Sequence, residues 1–498
     1  MKIFIKLLFV ISFSYASVVS VNDIESIALN FINQKNPSNM QYEVDKITKV
    51  DNLYFINFDP SGFIIMSSYK NTIPILGYSF SNNLNLLNLP AQLSKIIESY
   101  NQGIDFAVQD SLDIDNEILE EWDSYIDGFQ YRENTGSNIE PLIEANWNQG
   151  GAWNNLCPGN SLVGCVAVAM GQVMYYWEHP SQGSGYSQYY DPEYGIISVV
   201  FSDFEYNFNN MNGNSATYDS QLLLYHAGVA VHMNYTPWAS GASVCWDGPS
   251  AQSALDDNFN YNDEITCEVK VNYSDEEWHS LILDQLERGW PMVYRGYSDD
   301  AGHAWNIDGY QDGYFHCNWG WGGSANGYFY FDSLNGGGYN FIDNQAALLN
   351  IIPDNLYNPS ALFDYSISDM LVQFNDLSAL INDDLIDSFL WDFGDGNFST
   401  EQSPLHQYDE YGSYIVSLIV TSEYGLDSEQ HIEFIDIFDM TGDVNNDNII
   451  NVLDIVALVE IILLGPESAN DSSEYTDINE DGNVNIIDVI SLVNIILD

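Results

Sequence analysis

Two residues able to support covalent catalysis stand in distinctive settings, one at the start of an apolar helix and one between small residues. Cys165 follows Gly164, and His303 lies in the segment Gly302-His-Ala304. Only a thiolate attacks carbonyl carbon efficiently, and a helix N-terminus lowers the pKa of a thiol. The residues behind Cys165 predict such a helix because apolar side chains recur with the spacing of one helical face: Val166, Ala169, Met170, Val173, Met174 and Trp177.

Two further motifs accompany this pair, Trp147-Asn-Gln149 upstream and Asn318-Trp-Gly-Trp-Gly-Gly323 downstream. With the Gly-Cys-Val-Ala and Gly-His-Ala segments, they resemble the streptopain family of secreted cysteine peptidases. The resemblance implies an α+β, papain-like catalytic domain that hydrolyses peptide bonds through a thioester. No cofactor is expected for catalysis.

The resemblance also assigns roles to individual residues. Cys165 would be the nucleophile and His303 its base and acid. The side-chain amide of Gln149 and the backbone N–H of Cys165 would bind the oxyanion. Asn318 would orient the imidazole and Trp319 would shield that contact from water, although Asn306 and Asp308 lie nearer to His303 in sequence and could orient it instead.

Composition restricts the partners of the chain. Its 498 residues include 11 Lys+Arg and 72 Asp+Glu, which gives a formal net charge of -61. Such a charge is repelled by nucleic acids and by anionic membranes, so neither is an expected partner. The length predicts several domains.

The N-terminus has the pattern of a signal peptide. Met1 to Lys6 is basic, residues 7–15 are mostly apolar, and Ser14-Tyr-Ala16 predicts cleavage after Ala16. No run approaches the roughly 20 apolar residues that span a bilayer, so an integral membrane protein is not expected. The predicted location is extracellular, either free or attached to the cell surface.

An exported protein can form disulfides, and five cysteines leave one unpaired, as a catalytic Cys165 requires. The other four could form two bridges in three possible pairings, or could all be buried free thiols. These are Cys157, Cys245, Cys267 and Cys317.

Residues 17–134 are predicted to form an α+β pro-domain. Helical patterns at Ile24–Phe31 and Leu93–Tyr100 flank strand-like runs, and the segments 75–78 and 89–93 resemble the inhibitory propeptide of streptopain-like zymogens. The resemblance implies a domain that blocks the cleft until it is removed, with Arg132 a candidate cleavage position. The alternative is an N-terminal domain that stays attached.

Residues 135–354 would be the catalytic domain, in which helices precede strands, as in α+β folds. Helices are predicted after Cys165 and around Tyr218–Met233 and Trp278–Gly289. The predicted strands are Met292–Tyr294, Ala304–Tyr310, Tyr314–Cys317, Gly327–Phe331 and Ala346–Ile352.

Two smaller modules follow. In residues 358–438, apolar and polar residues alternate with a period of two, as in β-strands. The segment 391–396, Trp-Asp-Phe-Gly-Asp-Gly, resembles a PKD domain, which implies a β-sandwich. We interpret Asp392 and Asp395 as residues of a hairpin turn rather than metal ligands. The sandwich would serve as a spacer or a surface-binding module.

Residues 441–498 contain a repeated 12-residue loop, each copy followed by a helix with the same apolar stripe. The pair resembles a type I dockerin, a small all-α module, although Asn448 replaces the usual glycine and aspartate closes both loops. Oxygen donors at this spacing suit a structural Ca²⁺ in each loop. The predicted ligands are Asp443, Asn445, Asp447, Ile449, Asn451, Asp454, Asp477, Asn479, Asp481, Asn483, Asn485 and Asp488.

The sequence as a whole therefore predicts a secreted cysteine endopeptidase, made as a zymogen, that acts on proteins or peptides. Its tail would bind a cohesin-type partner or a cell-surface component. Two alternatives stay open at this point. One is an inactive scaffold that works through its C-terminal modules, and the other is a Cys-His acyltransferase such as a transglutaminase.

Overall fold

A computed structural model of the chain separates into two compact units, Met1–Leu356 and Tyr357–Asp498, each of which we describe by itself. The predicted signal peptide, Arg132 and Asn448 lie outside the described residues. The residues that the structure describes are 18–35, 40–109, 116–128, 138–245, 248–297, 302–331, 345–368, 370–380, 385–438, 441–445, 447, 449–464 and 476–497.

The N-terminal part of the first unit combines helices with an antiparallel sheet, as predicted for an α+β pro-domain. Both predicted helices are confirmed and are longer than expected. A further helix, α3 (Asn116–Asp127), was not predicted, although its apolar residues Ile118, Trp122 and Tyr125 recur with the spacing of one helical face. The elements are α1 (Val21–Lys35), β1 (Glu43–Val50), β2 (Leu53–Asp59), β3 (Phe63–Ser67), β4 (Ile75–Ser79), α2 (Ala91–Gln109) and α3 (Asn116–Asp127).

The rest of the first unit begins with the predicted helix at Cys165 and ends with the five predicted strands, but three strands that were not predicted, at 186–191, 195–200 and 266–269, lie between the helices. Short 3₁₀ turns lie at Pro158–Asn160, Phe201–Asp203, Phe208–Asn210 and Lys270–Asn272. The other elements are α4 (Cys165–Trp177), β5 (Tyr186–Asp191), β6 (Gly195–Val200), α5 (Tyr218–Ala230), α6 (Ala251–Phe259), β7 (Thr266–Val269), α7 (Asp275–Glu287), β8 (Met292–Tyr297), β9 (Gly302–Gln311), β10 (Tyr314–Asn318), β11 (Gly327–Phe329) and β12 (Ala346–Leu349).

One continuous sheet joins the N-terminal segment to the rest of the unit. Ten of the described strands follow the order β1-β2-β3-β4-β11-β10-β9-β8-β12-β7. The seam is the antiparallel pair β4–β11, in which Gly77 faces Phe329 and Tyr78 faces Tyr328. The rings of Tyr78 and Tyr328 stack at 5.2 Å across this seam. The N-terminal segment is therefore integrated into the fold through backbone pairing as well as side-chain packing.

The apolar residues of this unit form two clusters. One joins α1, α2 and α3 to α7 and the strands, with Phe31, Trp122 and Trp278 among its buried side chains. The other packs α4, α5 and α6 against β8, β9 and β12, and includes Met170 and Leu224. Helix α4 is buried along most of its length because nearly all its residues are apolar. The position of Cys165, its first residue, is thus fixed by the core.

The second unit contains a β-sandwich and a helical tail. The sandwich has one sheet of order β13-β14-β17 and another of order β16-β15-β18-β19. Asp392 and Asp395 accept hydrogen bonds from Gly394 and Asn397 within one turn. The elements are β13 (Phe363–Ser368), β14 (Leu371–Asp376), β15 (Ile386–Asp392), β16 (Phe398–Ser399), β17 (Leu405–Gln407), β18 (Gly412–Ser422), β19 (His431–Ile437), α8 (Val452–Leu464) and α9 (Ile486–Leu497).

The sequence left open whether the four non-catalytic candidates among the cysteines form two disulfides or remain free thiols, and the structure shows one disulfide and two free thiols. Cys245 and Cys267 form a disulfide. Cys157 and Cys317 are free and buried, and Cys165 is free and partly exposed. Among the described helices, none combines the length and the apolar character needed to cross a bilayer.

We expect Gly77→Ala to loosen the β4–β11 seam. A Cβ at this position would lie 2.7 Å from the Phe329 ring, which is fully buried and cannot easily move. Overpacking of this kind costs about 1–3 kcal/mol. Differential scanning calorimetry of the unprocessed chain, in a Cys165→Ser background, should show a lower unfolding temperature for the first unit.

The matched control is Gly412→Ala, which also adds a methyl group in a strand. That methyl would meet only Tyr414, at 3.9 Å. Equal thermal shifts for the two variants would contradict the steric explanation.

Candidate active site

Cys165 is the first residue of α4, and the backbone before it is suited only to glycine. Gly164, the N-cap, has a φ of 92°. A Cβ on Gly164 would lie 2.6 Å from the Met233 side chain, so both the conformation and the space require glycine here. The Gly-Cys motif therefore has a steric origin, since it lets the chain enter α4 with the thiol at the helix N-terminus.

The sulfur of Cys165 lies beside β9. Burial is the largest influence on this thiol and raises its pKa. Hydrogen bonds from the backbone N–H groups of Ala304, Val166 and Cys165 itself act in the opposite direction. The contact with Ala304 places the sulfur next to the residue that follows His303.

His303 lies near the start of β9 and pairs with Gly296 of β8. Burial lowers the pKa of its imidazole, and the positive charge of Lys95 on α2 lowers it further. The thiol and the imidazole are thus both biased towards their neutral forms. Cys165 and His303 thus line one cleft, in an environment that disfavours the charged form of each group taken individually.

Gln149 lines the same cleft, and its role as an oxyanion donor remains a prediction. Its loop is fixed by Asn148, whose Oδ1 accepts from the Gln149 N–H at 2.7 Å. The Gln149 carbonyl accepts from Val163 N–H at 2.9 Å, and Asn148 forms an isolated bridge with Trp321. The backbone around Gln149 is therefore held in place while its side chain faces the cleft.

Asn318 and Trp319 have other partners in this structure. The Asn318 amide donates to the Ala145 carbonyl at 2.8 Å, and its oxygen accepts from Gly320 N–H at 3.3 Å. Trp319 is fully buried and donates from Nε1 to the Ala325 carbonyl. Their predicted actions on His303 remain predictions.

The N-terminal segment reaches into the cleft. Ala91 and Gln92, at the start of α2, line it together with Cys165 and His303, and the cleft volume is about 420 Å³. Gln92 is buried and donates from Nε2 to the Ala304 carbonyl at 3.1 Å and to the Trp319 carbonyl at 3.4 Å. Its Oε1 is also buried, and no described residue donates to it. The α2 N-terminus thus forms part of the wall of the cleft, beside Cys165 and His303.

The two loops of the tail have the same internal hydrogen bonds. Asp454 is fully buried, and its two oxygens accept from the N–H groups of Asn445 and Asn451. Thirty-four residues later, Asp488 accepts from Asn479 and Asn485 in the same way. The repeat seen in the sequence is therefore a repeat in three dimensions.

Comparison with known families decides the class of the catalytic unit. The profile of the peptidase C10 family matches residues 147–329, which include Cys165, His303 and Gln149. This domain belongs to the peptidase C10 family. It is a cysteine-type peptidase domain, and the expected streptopain-type, papain-like fold is confirmed.

The modules around the C10 domain were also recognised correctly. Residues 16–104 match the Spi protease inhibitor family, 361–436 a PKD domain and 441–497 a dockerin type I domain. The C10 peptidase thus carries an inhibitor-like propeptide, as zymogens do. The exact boundaries predicted from the sequence remain predictions.

Known relatives support the same assignment. Streptopain of Streptococcus pyogenes serotype M28 (strain MGAS6180) is 29% identical over 342 residues, which cover 61% of this chain and 81% of the relative. The thiol protease/hemagglutinin PrtT of Porphyromonas gingivalis is 27% identical over 65% of this chain and 40% of its own. A solved fragment of Prevotella intermedia prointerpain A matches with a TM-score of 0.52 and 25% identity, over 62% of this chain and 99% of the fragment.

Most residues that line the cleft of the C10 peptidase were not predicted from the sequence, and three of them are instructive. Trp321 lines the cleft and Trp319 does not. The sequence could not separate them, because residues two apart share a face only in extended backbone, and Gly320 between them has a φ of 67°. Trp238 also lines the cleft and is 87% exposed, unusual for so large an apolar side chain. Nothing in the sequence marks Gln92 as a cleft residue, because polar residues are common in helices.

We expect Lys95→Met to make Cys165 more reactive in the unprocessed chain. Removing the positive charge should raise the pKa of His303 and favour the imidazolium that stabilises a thiolate. Burial remains the larger influence, so alkylation by iodoacetamide at neutral pH should rise by less than about tenfold, the equivalent of one pKa unit.

Lys70→Met is the control for this measurement. Lys70 also lies in the N-terminal segment and pairs with Asp123 at 3.5 Å. If both variants alkylate at the same rate as the wild type, the charge of Lys95 does not govern the site.

Proposed function

We propose that this C10 peptidase is a secreted endopeptidase, synthesised as a zymogen, in which Cys165 and His303 hydrolyse peptide bonds. The observation that carries the proposal is the contact between the Cys165 sulfur and the N–H of Ala304, the neighbour of His303. It brings a helix N-terminal thiol and an imidazole into one cleft with Gln149. These are the groups that acyl transfer through a thiol requires.

In the proposed reaction the Cys165 thiolate, paired with the His303 imidazolium, attacks the scissile carbonyl carbon. The carbonyl oxygen becomes an oxyanion, which the Gln149 amide and the Cys165 N–H stabilise by donating hydrogen bonds. Collapse breaks the C–N bond, and His303 gives its proton to the departing amine. The product is a thioester on Cys165.

The second half-reaction uses the same groups in reverse. His303 accepts a proton from water as the water attacks the thioester carbonyl, and the Cys165 thiolate then leaves. Asn318 would orient the imidazole and Trp319 would exclude water from that contact once the N-terminal segment is gone. Both roles require partners other than those described above, so maturation would have to rearrange this corner of the site.

Two features support inhibition by the N-terminal segment before maturation. Ala91 and Gln92 line the cleft and narrow it, and Lys95 opposes the protonation of His303. The segment thus blocks the substrate sterically and disfavours the reactive ion pair electrostatically. Cleavage near residue 134 would release both effects, although the continuous sheet means that the segment must also unpair from β11.

We further propose that each tail loop binds one Ca²⁺. Type I dockerins are calcium-binding modules, and the predicted donors are all oxygens. Asp443, Asp454 and Asp488 are buried carboxylates, yet the sequence has no Lys or Arg after Arg295 to balance them. Among the described residues, no three Asp, Glu, His or Cys side chains lie close enough to hold a metal, so Asn and carbonyl oxygens would complete each site.

A cohesin-type protein is the proposed partner of the tail, with a cell-surface component as the alternative. Val452 and Leu453 of α8 are 62% and 56% exposed, and the equivalent Ile486 and Ile487 of α9 are 62% and 51% exposed. Matching apolar residues at equivalent positions of both copies give the tail two similar surfaces. Exposed apolar groups of this kind favour protein contacts.

We expect Cys165→Ser to abolish both removal of the N-terminal segment and cleavage of casein, measured by mass spectrometry. A serine hydroxyl beside a neutral imidazole is a much weaker nucleophile than a thiolate. Gln149→Ala should retain self-processing but lower kcat about a hundredfold, as the loss of one oxyanion donor commonly does.

Cys157→Ser is the control because Cys157 is a buried free thiol of the same domain. It should leave casein cleavage intact. Incorporation of amines without peptide cleavage would instead identify an acyltransferase, and inactivity of the wild type after removal of the segment would favour the scaffold.

The calcium proposal predicts that two Ca²⁺ ions bind each unprocessed chain, measured by isothermal titration in a Cys165→Ser background. Asp454→Ala should abolish one site and Asp488→Ala the other, since each removes the buried carboxylate that closes its loop. Asp436→Ala, which changes an exposed carboxylate of the sandwich, should retain both sites. Two sites persisting in an Asp454→Ala, Asp488→Ala double variant would overturn the assignment.

A further inference from the structure

Gln172 lies at the centre of a buried hydrogen-bond network behind the cleft. It follows Cys165 by seven residues on α4, so both lie on one side of the helix. Its side chain is fully buried. Oε1 accepts from the Trp147 N–H at 3.0 Å, and Nε2 donates to Asn306 Oδ1 at 2.8 Å.

Asn306 carries the network into the sheet. It follows His303 by three residues on β9 and is also fully buried. Its Nδ2 donates to the Ala169 carbonyl of α4 at 3.1 Å and to the Met292 carbonyl of β8 at 3.3 Å. These two contacts fix the orientation of the amide, because exchanging its oxygen and nitrogen would turn an acceptor towards two carbonyls.

Trp147 carries the network to the oxyanion loop. It precedes Gln149 by two residues, and its carbonyl accepts from the Gly322 N–H at 2.9 Å. Gly322 follows Trp321, which lines the cleft. One amide side chain therefore connects the helix of the nucleophile, the strand of the histidine and the loop of Gln149.

We propose that Gln172 is a positioning residue for the peptidase reaction, holding α4, β9 and the Gln149 loop in catalytic register. The inference rests on the proposed function, because it presumes that Cys165, His303 and Gln149 act together. It goes further in assigning a role to a side chain that lines no part of the cleft. A displacement of about 1 Å between reacting groups can lower a rate about a hundredfold.

The network requires both halves of the amide. A glutamate at position 172 could still accept from Trp147 N–H, but its second oxygen would face Asn306 Oδ1, another acceptor. A protonated glutamic acid would donate to Asn306 and restore the contact. Burial raises the pKa of a carboxyl group, so the protonated form should become substantial within the acidic part of the working range.

Gln285 provides a matched control in the same domain. It is also buried, donates from Nε2 to Asn350 Oδ1 at 3.1 Å, and accepts from a backbone N–H, that of Asn350, at 2.7 Å. The Asn350 amide is oriented by the Glu264 carbonyl. Gln285 lies on α7, and neither it nor Asn350 lines the cleft. A purely structural role would give Gln172 and Gln285 the same phenotype.

The experiment measures kcat, KM and thermal stability of the processed enzyme from pH 5 to 8 for four variants. For Gln172→Met we expect kcat to fall at least about tenfold with KM changed less than about threefold. For Gln172→Glu we expect the kcat of the variant, divided by the kcat of the wild type at the same pH, to rise as the pH falls. Gln285→Met and Gln285→Glu should lower the thermal stability but leave kcat at the wild-type value, so that the ratio of variant to wild-type kcat does not change with pH.

Each outcome decides the proposal. A pH-independent ratio for Gln172→Glu, or equal kcat values for the Gln172 and Gln285 variants, would overturn it while leaving the Cys165 mechanism intact. If Gln172→Glu does not fold, the comparison of Gln172→Met with Gln285→Met still decides. A wild-type enzyme that cleaves no peptide and whose Cys165 resists a thiol-directed epoxide would overturn the proposed function and this inference together.

Discussion

The contact between the N-terminus of α4 and the first residues of β9 is the constraint on which the site depends. Cys165 belongs to a helix and His303 to a strand well over a hundred residues later in the sequence. Their approach is possible because α4 is apolar enough to be buried against the sheet, and because Gly164 leaves room for Met233 where the chain enters the helix. Burial of α4 therefore stabilises the fold and also holds Cys165 beside the first residues of β9.

The same burial raises the pKa of Cys165 and lowers the pKa of His303. Removing water disfavours a charged thiolate and a charged imidazolium individually, and the two charges stabilise each other only when they can form together. The α2 N-terminus adds its own backbone and a nearby cation to this environment. A small change in solvation or geometry can therefore have a large effect on the population of the reactive pair.

Much of the architecture could be predicted from the sequence because its signals are local. The apolar stripe of α4, the alternation in β9 and the repeated loops of the tail each report on neighbouring residues. The motifs also located Cys165, His303 and Gln149 at one cleft. Features that depend on distant partners could not be predicted in this way.

Three features of the structure depend on residues far apart in the sequence and could not be predicted from local patterns. The pairing of β4 with β11 joins segments about 250 residues apart, and their registers are visible only in three dimensions. The choice between Trp319 and Trp321 as the cleft residue depends on how the loop turns after β10. The single bridge between Cys245 and Cys267 requires knowledge of which strands and loops meet.

The shared sheet and the strong negative charge of the chain are connected through the edge strand that loss of β4 would expose. Loss of β4 would turn β11 into an edge strand with unpaired N–H and C=O groups, next to apolar side chains such as Tyr328. Such edges favour association between copies of the same protein. Copies that each carry a large excess of acidic over basic residues repel one another, so this charge would oppose association through the edge that removal of β4 would create.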